Sequence, residues 1–290
     1  MTRAVVETQG SLGGDHQDEP AVVIKPRKGW FHLDLGVIWS YRELLYFLVW
    51  RDLKVRYRQT AIGAGWVLLQ PLLTMAILTV VFGNLAKVPS DNIPYPIFCL
   101  AALLPWTMFS NSLSRGSDSV VGNANLVTKV YFPRLILPLS GVLSPLVDFA
   151  VAFVVLIGMM IWYGVVPHAS IVTLPLFVLL AVCTALSVGV WLSALNVRYR
   201  DVRHTVPFLV QIWMFASPVA YPVNLVPEKW RLLYSLNPMV GVIEGFRWAI
   251  LGKTSPDFKV VWVSVGVILG LLAGGVIYFK RMESKFADEV

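Results

Sequence analysis

The chain has 290 residues, of which 57% are hydrophobic and only 14% are charged, and its formal net charge is +7. A soluble domain carries about 25% charged residues, so this composition excludes an ordinary soluble domain and indicates an integral membrane protein. The positive charge follows the membrane topology described below, and it is not a sign of nucleic-acid binding.

The N-terminal part of the chain is polar. Residues 1–29 contain several glycines and acidic side chains and cannot bury a core, so we expect a disordered cytoplasmic tail. Residues 30–58 are predicted to form an interface helix region, because apolar side chains recur at helical spacing beside cations over residues 37–58. A helix packed on another domain is the alternative. Four cations are expected to contact anionic headgroups: Arg51, Lys54, Arg56 and Arg58.

Charged residues stop at Arg58 and return only at Lys87. From there a transmembrane domain is predicted over residues 59–285, with six apolar segments near the length that crosses a bilayer. They cover about 64–85, 95–114, 138–163, 171–195, 205–223 and 259–279. Prolines inside three of them predict a packed bundle, since neighbouring helices must satisfy the backbone groups that proline leaves unpaired. The predicted fold is therefore an all-α membrane protein with six transmembrane helices.

The segment between the last two spans, residues 226–251, is apolar but short and broken. Apolar stretches of this kind favour short re-entrant or interfacial helices. Glu244 and Arg247 lie three residues apart on it and are expected to pair.

The distribution of cations predicts the orientation. With the N-terminus inside, 18 of the 24 lysines and arginines fall in inner segments and six in outer ones. By the positive-inside rule, both termini are expected in the cytoplasm.

Catalytic and nucleotide-binding motifs are missing from the sequence. Gly252-Lys253-Thr254 resembles the end of a phosphate-binding loop, but the glycine required five residues earlier is Arg247. No cofactor and no metal site is therefore expected in this chain. Asp148 is the clear acidic residue within a span, and we interpret it as facing a polar neighbour in the bundle.

Two inner loops and a series of aromatic residues are the candidate functional features. The loops cover residues 115–138 and 196–203, and each alone could be an ordinary basic loop. The aromatic residues could contact sugar rings, or they could form an interfacial belt or pack between helices. The candidates for a polymer path are Trp106, Phe109, Phe208, Trp213, Phe215 and Tyr221.

Four motifs carry a family resemblance. They are WRDLKVRYRQTAIGAGWVLLQP at residues 50–71, NANLVTKVYFPRLILP at 123–138, NVRYRDV at 196–202 and LNPMVGVIEGFRW at 236–248. Together they resemble the membrane subunit of type-2 ABC exporters, in the polysaccharide branch that exports O-antigen, capsule or teichoic acid. The resemblance covers about residues 37–285.

The resemblance implies a permease of the bacterial inner membrane that works as a homodimer with two copies of a separate ATPase subunit. ATP and magnesium would bind to the ATPase. The cargo would be a lipid-linked polysaccharide, and the cations of the interface helix could contact its diphosphate or ordinary membrane lipids. The residues that would contact the ATPase are Gly122, Asn123, Asn125, Leu126, Lys129, Arg134, Arg198, Arg200 and Asp201.

Two alternatives remain open at this point. One is a type-2 exporter of drugs or other lipids. The other is a membrane-embedded lipid-linked sugar transferase, which would need clustered acidic residues or a metal site near one membrane face.

Overall fold

A computed structural model of the chain describes residues 35–58, 65–90, 92–252 and 255–286. Every regular element in these ranges is a helix, which confirms the all-α prediction. The predicted tail and residues 30–34 lie outside the described residues. The helices are α1 (Leu35–Ser40), α2 (Arg42–Arg58), α3 (Gly65–Leu78), α4 (Tyr95–Asp118), α5 (Ala124–Lys129), α6 (Ile136–Leu143), α7 (Pro145–Trp162), α8 (Leu174–Arg198), α9 (Val202–Phe215), α10 (Glu228–Tyr234), α11 (Pro238–Leu251) and α12 (Phe258–Glu283).

Five stretches within the described residues are long and apolar enough to cross a membrane, and they coincide with five of the six predicted spans. The predicted span at 205–223 differs, because α9 ends at Phe215 after 14 residues. Such a helix is about 21 Å long, whereas the hydrocarbon core is about 30 Å thick. The count of six spans stays a prediction. The five stretches are Gly65–Leu85, Tyr95–Asp118, Ile136–Trp162, Ala169–Arg198 and Phe258–Glu283.

The chain from α9 to residue 220 nevertheless runs along α4. Near the start of α9, Arg203 pairs with Asp118 at 3.7 Å. Beyond its end, the hydroxyl of Tyr95 donates a hydrogen bond of 2.6 Å to the carbonyl of Ala220. Tyr95 and Asp118 are the first and last residues of α4. Residues 203–220 therefore extend from the level of one end of α4 to the level of the other.

Helix α4 is the centre of the bundle, and most of its residues are buried. It contacts α3, α6, α7, α8, α9 and α11. Glycine allows the closest of these crossings, because a Cβ atom on Gly141 of α6 would lie 2.9 Å from the carbonyl oxygen of Arg115. Small residues at helix crossings let two backbones approach closely in membrane proteins.

The third span is broken at Ser144, between α6 and α7. Pro145 begins α7, and proline lacks the N–H that would continue the hydrogen bonds of α6. The break leaves the Ser144 hydroxyl and the Asp148 carboxylate available to the neighbouring α2 helix.

Helix α2 packs along α6. Leu48 is its buried residue and joins a core cluster with Ile136 and Phe279. The opposite side carries large exposed aromatic residues, a composition typical of a membrane interface. These are Trp39 of α1 and Tyr46, Phe47 and Trp50 of α2.

Helices α10 and α11 occupy the predicted re-entrant segment. Almost every residue of α11 is buried, and the helix packs on α4, α8 and α12. It ends at Gly252, whose φ of 65° suits glycine and where a Cβ atom would lie 2.3 Å from His168. Arg247 donates to the carbonyls of Pro218 and Val219 at 3.0 and 3.3 Å. The depth of α10 and α11 in the membrane stays a prediction.

Candidate functional site

The first inner loop folds into a 3-10 turn, Val121–Asn123, followed by α5. Asn123 holds this turn in place, because its amide donates to the Ser119 carbonyl at 2.7 Å and its oxygen accepts from Arg51 of α2 at 2.7 Å. Leu126 packs against the same core cluster as Leu48. Of the predicted contact residues in this loop, Gly122, Asn125 and Lys129 are exposed.

Arg134 contacts the end of α12, and its predicted contact with the ATPase stays a prediction. Its guanidinium donates to the carbonyl of Glu283, its backbone N–H donates to the Glu283 carboxylate at 3.3 Å, and its side chain lies over the ring of Phe286. Arg134 therefore links the first inner loop to the end of α12 through hydrogen bonds to Glu283.

The second inner loop lies beside the C-terminal end of α4. Asn196 donates to the carbonyl of Ser117 at 3.1 Å, and Arg203 pairs with Asp118. The first loop therefore follows the last turn of α4, where Ser119 binds Asn123, and the second loop contacts that turn. The predicted residues Arg198, Arg200 and Asp201 are all exposed.

The four cations of α2 divide into two groups. Arg51 binds Asp52 at 2.9 Å as well as Asn123, and Arg56 pairs with Asp148. Arg51 and Arg56 are thus engaged within the chain, and their contact with lipid stays a prediction. Lys54 and Arg58 are exposed.

Asp148 is the centre of a polar cluster between α2 and α7. Its two carboxylate oxygens accept from Arg56 and from the Tyr57 hydroxyl, and Arg56 also donates to Ser144 at 3.2 Å. Burial, followed by the hydrogen bond and the charge of Asp148, raises the pKa of Tyr57 to about 12. Tyr57 therefore stays a neutral hydrogen-bond donor at ordinary pH.

The predicted aromatic path separates into buried and exposed members. Trp106 and Phe109 are buried. Phe109 contacts Trp106 in a tilted arrangement and Trp213 edge to face, with ring centroids 5.4 and 5.1 Å away. Trp213 also donates to Asn237 at 2.8 Å. Trp106 and Phe109 are core residues within the single chain, and their place on a path stays a prediction.

Of the remaining aromatic candidates, Phe208 and Phe215 are exposed and Tyr221 is half-buried. Phe208 and Phe215 are 62% and 58% exposed on α9, and the Tyr221 hydroxyl bonds to that of Tyr234 at 2.9 Å. Phe215, Tyr221 and Phe82 line an apolar cavity of about 190 Å³ between the end of α3 and residues 214–221. One wall of this cavity is formed by α3 and by the π-helix that follows it, Thr79–Leu85. π-Helices are rare overall, and those that occur often lie at functional sites.

The profile of the ABC-2 type transporter family matches residues 43–251. The chain belongs to this family. The transporter is similar to the O-antigen export system permease protein RfbA of Myxococcus xanthus, with 32% identity over 87% of this chain and 97% of that protein. The protein of the same name from Klebsiella pneumoniae is 28% identical over 85% and 94% of the two chains. The polysialic acid transport protein KpsM of Escherichia coli is 22% identical over 81% and 92%.

Family membership and the five apolar helices make the transporter a multi-pass membrane protein. In the part of the chain that the structure describes, no three His, Cys, Asp or Glu side chains are close enough to hold a metal ion. Sequence reasoning missed Tyr57 and Ser144 in the cluster around Asp148. The one signal that could have found them is the rule that an acidic residue within a span needs a nearby partner.

Proposed function

We propose that the transporter is the membrane permease of an ATP-driven exporter of lipid-linked polysaccharide in the bacterial inner membrane. The observation that carries this proposal is the 32% identity to an O-antigen export permease over 97% of that protein. A transport protein for polysialic acid, a second polysaccharide, matches over a similar length. A drug exporter and a sugar transferase are not favoured, because no comparable feature supports either.

The permease works as a homodimer with two ATPase subunits, and the ATPase binds ATP and magnesium. The exposed apolar residues of α9 support the dimer. Val206 and Val210 are the residues that α9 buries within the chain, whereas Phe208, Ile212 and Phe215 are exposed. A second copy would cover this face and complete the wall of a path wide enough for a polymer.

The two inner loops dock on the ATPase. Their exposed residues, with Lys129 on one loop and Arg198 and Arg200 on the other, form the docking surface. Because the first loop follows the last turn of α4 and the second contacts it, a displacement at this surface acts on the most buried of the five long apolar helices. We infer that this is how ATP hydrolysis opens the path.

The chain crosses the membrane six times with both termini in the cytoplasm. The contacts that Arg203 and Ala220 make with opposite ends of α4 support the crossing by residues 203–220. In this orientation α10, α11 and the aromatic cavity lie on the outer side. Phe215, Tyr221 and Tyr234 then offer ring faces and hydroxyl groups to a sugar chain leaving the path.

Deletion and complementation in the native host test this function. A strain lacking the permease should lose surface polysaccharide and accumulate lipid-linked polymer inside, and the intact chain should restore export. Normal surface polysaccharide in the deletion strain would contradict the proposal. Loss of polymer synthesis, with no accumulation inside, would favour the transferase.

A further inference from the structure

The stretch that follows α9, residues 216–222, is neither helix nor strand, and we call it the α9 turn. Its backbone carbonyls lack the hydrogen bonds of a regular helix, and buried backbone groups need partners. Side chains of other elements supply them at four positions. The four acceptors are the carbonyls of Ala216, Pro218, Val219 and Ala220.

The buried helix α11 and its cap provide three of these four bonds. Arg247 donates through Nη2 to the carbonyls of Pro218 and Val219 at 3.0 and 3.3 Å. Asn237, which caps the start of α11, donates to the carbonyl of Ala216 at 3.0 Å. The α9 turn is therefore bound to both halves of α11.

The surroundings of Arg247 make it a rigid support. The residue is 8% exposed, and its guanidinium lies 3.7 Å from the ring centroid of Phe98 on α4. A guanidinium stacks on an aromatic face while its N–H groups bind acceptors in its own plane. Arg247 is thus held by the most buried part of the bundle, and its donors hold the turn.

The α9 turn is also one wall of the apolar cavity of about 190 Å³. Two of the aromatic candidates for the polymer path lie at this wall, and the Tyr221 hydroxyl donates to the Phe215 carbonyl at 3.2 Å. Arg247 therefore fixes the backbone between two aromatic side chains. The residues of the turn that line the cavity are Ser217, Val219, Ala220 and Tyr221.

We propose that Arg247 is a positioning residue for transport, which holds the α9 turn so that Phe215 and Tyr221 stay at the wall of the path. This inference rests on the proposed function, in which the two rings face the sugar chain. Arg247 acts through the backbone of the turn rather than by touching the polymer. Loss of its bonds leaves two adjoining carbonyls without these donors and lets the wall move.

Thiol labelling of the full-length permease in nanodiscs tests whether Arg247 holds the turn. Val219 is 2% exposed, so the Val219→Cys variant should react slowly with a water-soluble maleimide. The permease without this change gives the background from its native cysteines. Adding Arg247→Gln should speed labelling about tenfold or more, because two hydrogen bonds from a charged donor are lost. Arg247→Lys keeps the charge and should give a smaller increase.

Arg231→Gln is the matched control. Arg231 also donates to a nearby backbone carbonyl, that of Val226 at 3.0 Å, but this acceptor lies outside the α9 turn. Its loss should leave the labelling of Val219→Cys unchanged, and thermal unfolding checks that all variants fold. If Arg247→Gln does not fold, Arg247→Lys carries the test, and labelling no faster than with the native arginine would refute the inference.

Export by permeases without the added cysteine tests the role in transport. Arg247→Gln should lower polymer export about tenfold, because a misplacement of about 1 Å disables a positioned site. Arg247→Lys should recover part of the loss, and Arg231→Gln should export normally. Unchanged labelling in Arg247→Gln, or faster labelling with normal export, would refute this inference and leave the proposed function intact. Absence of polymer export by the unchanged permease would instead refute the proposed function.

Discussion

Asp148 joins two helices that are far apart in the sequence, since its partner Arg56 is 92 positions away. An isolated carboxylate in a membrane-spanning helix is costly. Here two donors from α2 satisfy it, and in return it fixes the end of α2 against the break in the third span. The pair is thus part of the architecture.

Neutralising this carboxylate should weaken the fold. Asp148→Asn leaves Arg56 as a partly buried cation without its counter-charge, and breaking such a pair costs about 3 kcal/mol. We expect a lower midpoint of thermal unfolding in detergent. Asp201→Asn, at an exposed position, is the matched control and should unfold as the unchanged protein does. Equal midpoints for both variants would show that the ion pair does not stabilise the fold.

Tyr57 should make stability depend on alkaline pH. Its pKa is about 12 in the folded chain against an ordinary value of 10.0. Below pH 10 the folded and unfolded states both keep the Tyr57 proton, and the contribution of Tyr57 to the free energy of unfolding is complete. As the pH rises from 10 towards 12, the unfolded state ionises first, so this contribution is lost. Unfolding midpoints should therefore fall more steeply over this range for the unchanged protein than for Tyr57→Phe, and parallel curves would contradict the assignment.

At the scale of elements, α11 depends on glycine for its close packing. A Cβ atom on Gly245 would lie 1.9 Å from the ring of Phe177, which is buried on α8. Gly266 lies on an exposed side of α12, and nothing stands within 4 Å of its Cβ position. The same substitution should therefore have opposite effects at these two positions.

Gly245→Ala should destabilise the protein by about 2 kcal/mol through overpacking. Gly266→Ala should stabilise it by roughly 0.5 kcal/mol, because alanine favours a helix. Thermal unfolding measures both changes. The double variant Gly245→Ala with Phe177→Leu should recover part of the loss, and no recovery would mean that Phe177 is not the obstacle.

The exposed part of α5 should couple the permease to its ATPase. Lys129→Glu should reduce ATP-driven export about tenfold, because a repulsive charge is placed at the docking surface, while the amount of permease in the membrane stays unchanged. Lys285→Glu makes the same change at another exposed lysine, near the C-terminus, and should leave export normal. Arg134 is unsuitable for this test because its loss would also loosen α12. Full export by Lys129→Glu would remove α5 from the docking surface.

At the scale of the whole molecule, hydropathy predicted six apolar spans, and five of them coincide with long apolar helices, because long apolar runs have few alternative structures. It did not predict that α9 ends at Phe215, since turns inside an apolar segment leave the average hydropathy unchanged. It also gave the same interpretation to Trp106 and Phe208, although one is buried and the other exposed. Burial depends on which helix faces meet, and that is decided by contacts between distant residues such as Gly141 and Arg115.

The pairing of Arg56 with Asp148 was likewise not predictable from the sequence. The sequence identified an acidic residue that needed a partner, and it identified a row of cations, but charge patterns alone did not connect them. Family resemblance supplied the expected cargo and partners, whereas neither the periodicity nor the composition of the chain specifies a polysaccharide.

Transport by purified components tests the central claim most directly. The permease should be reconstituted in proteoliposomes with its ATPase, and movement of lipid-linked polysaccharide across the bilayer should be followed with and without ATP. We predict movement that requires ATP, magnesium and both subunits. Failure of the active ATPase complex to move the polymer, or movement by the permease alone, would contradict the account.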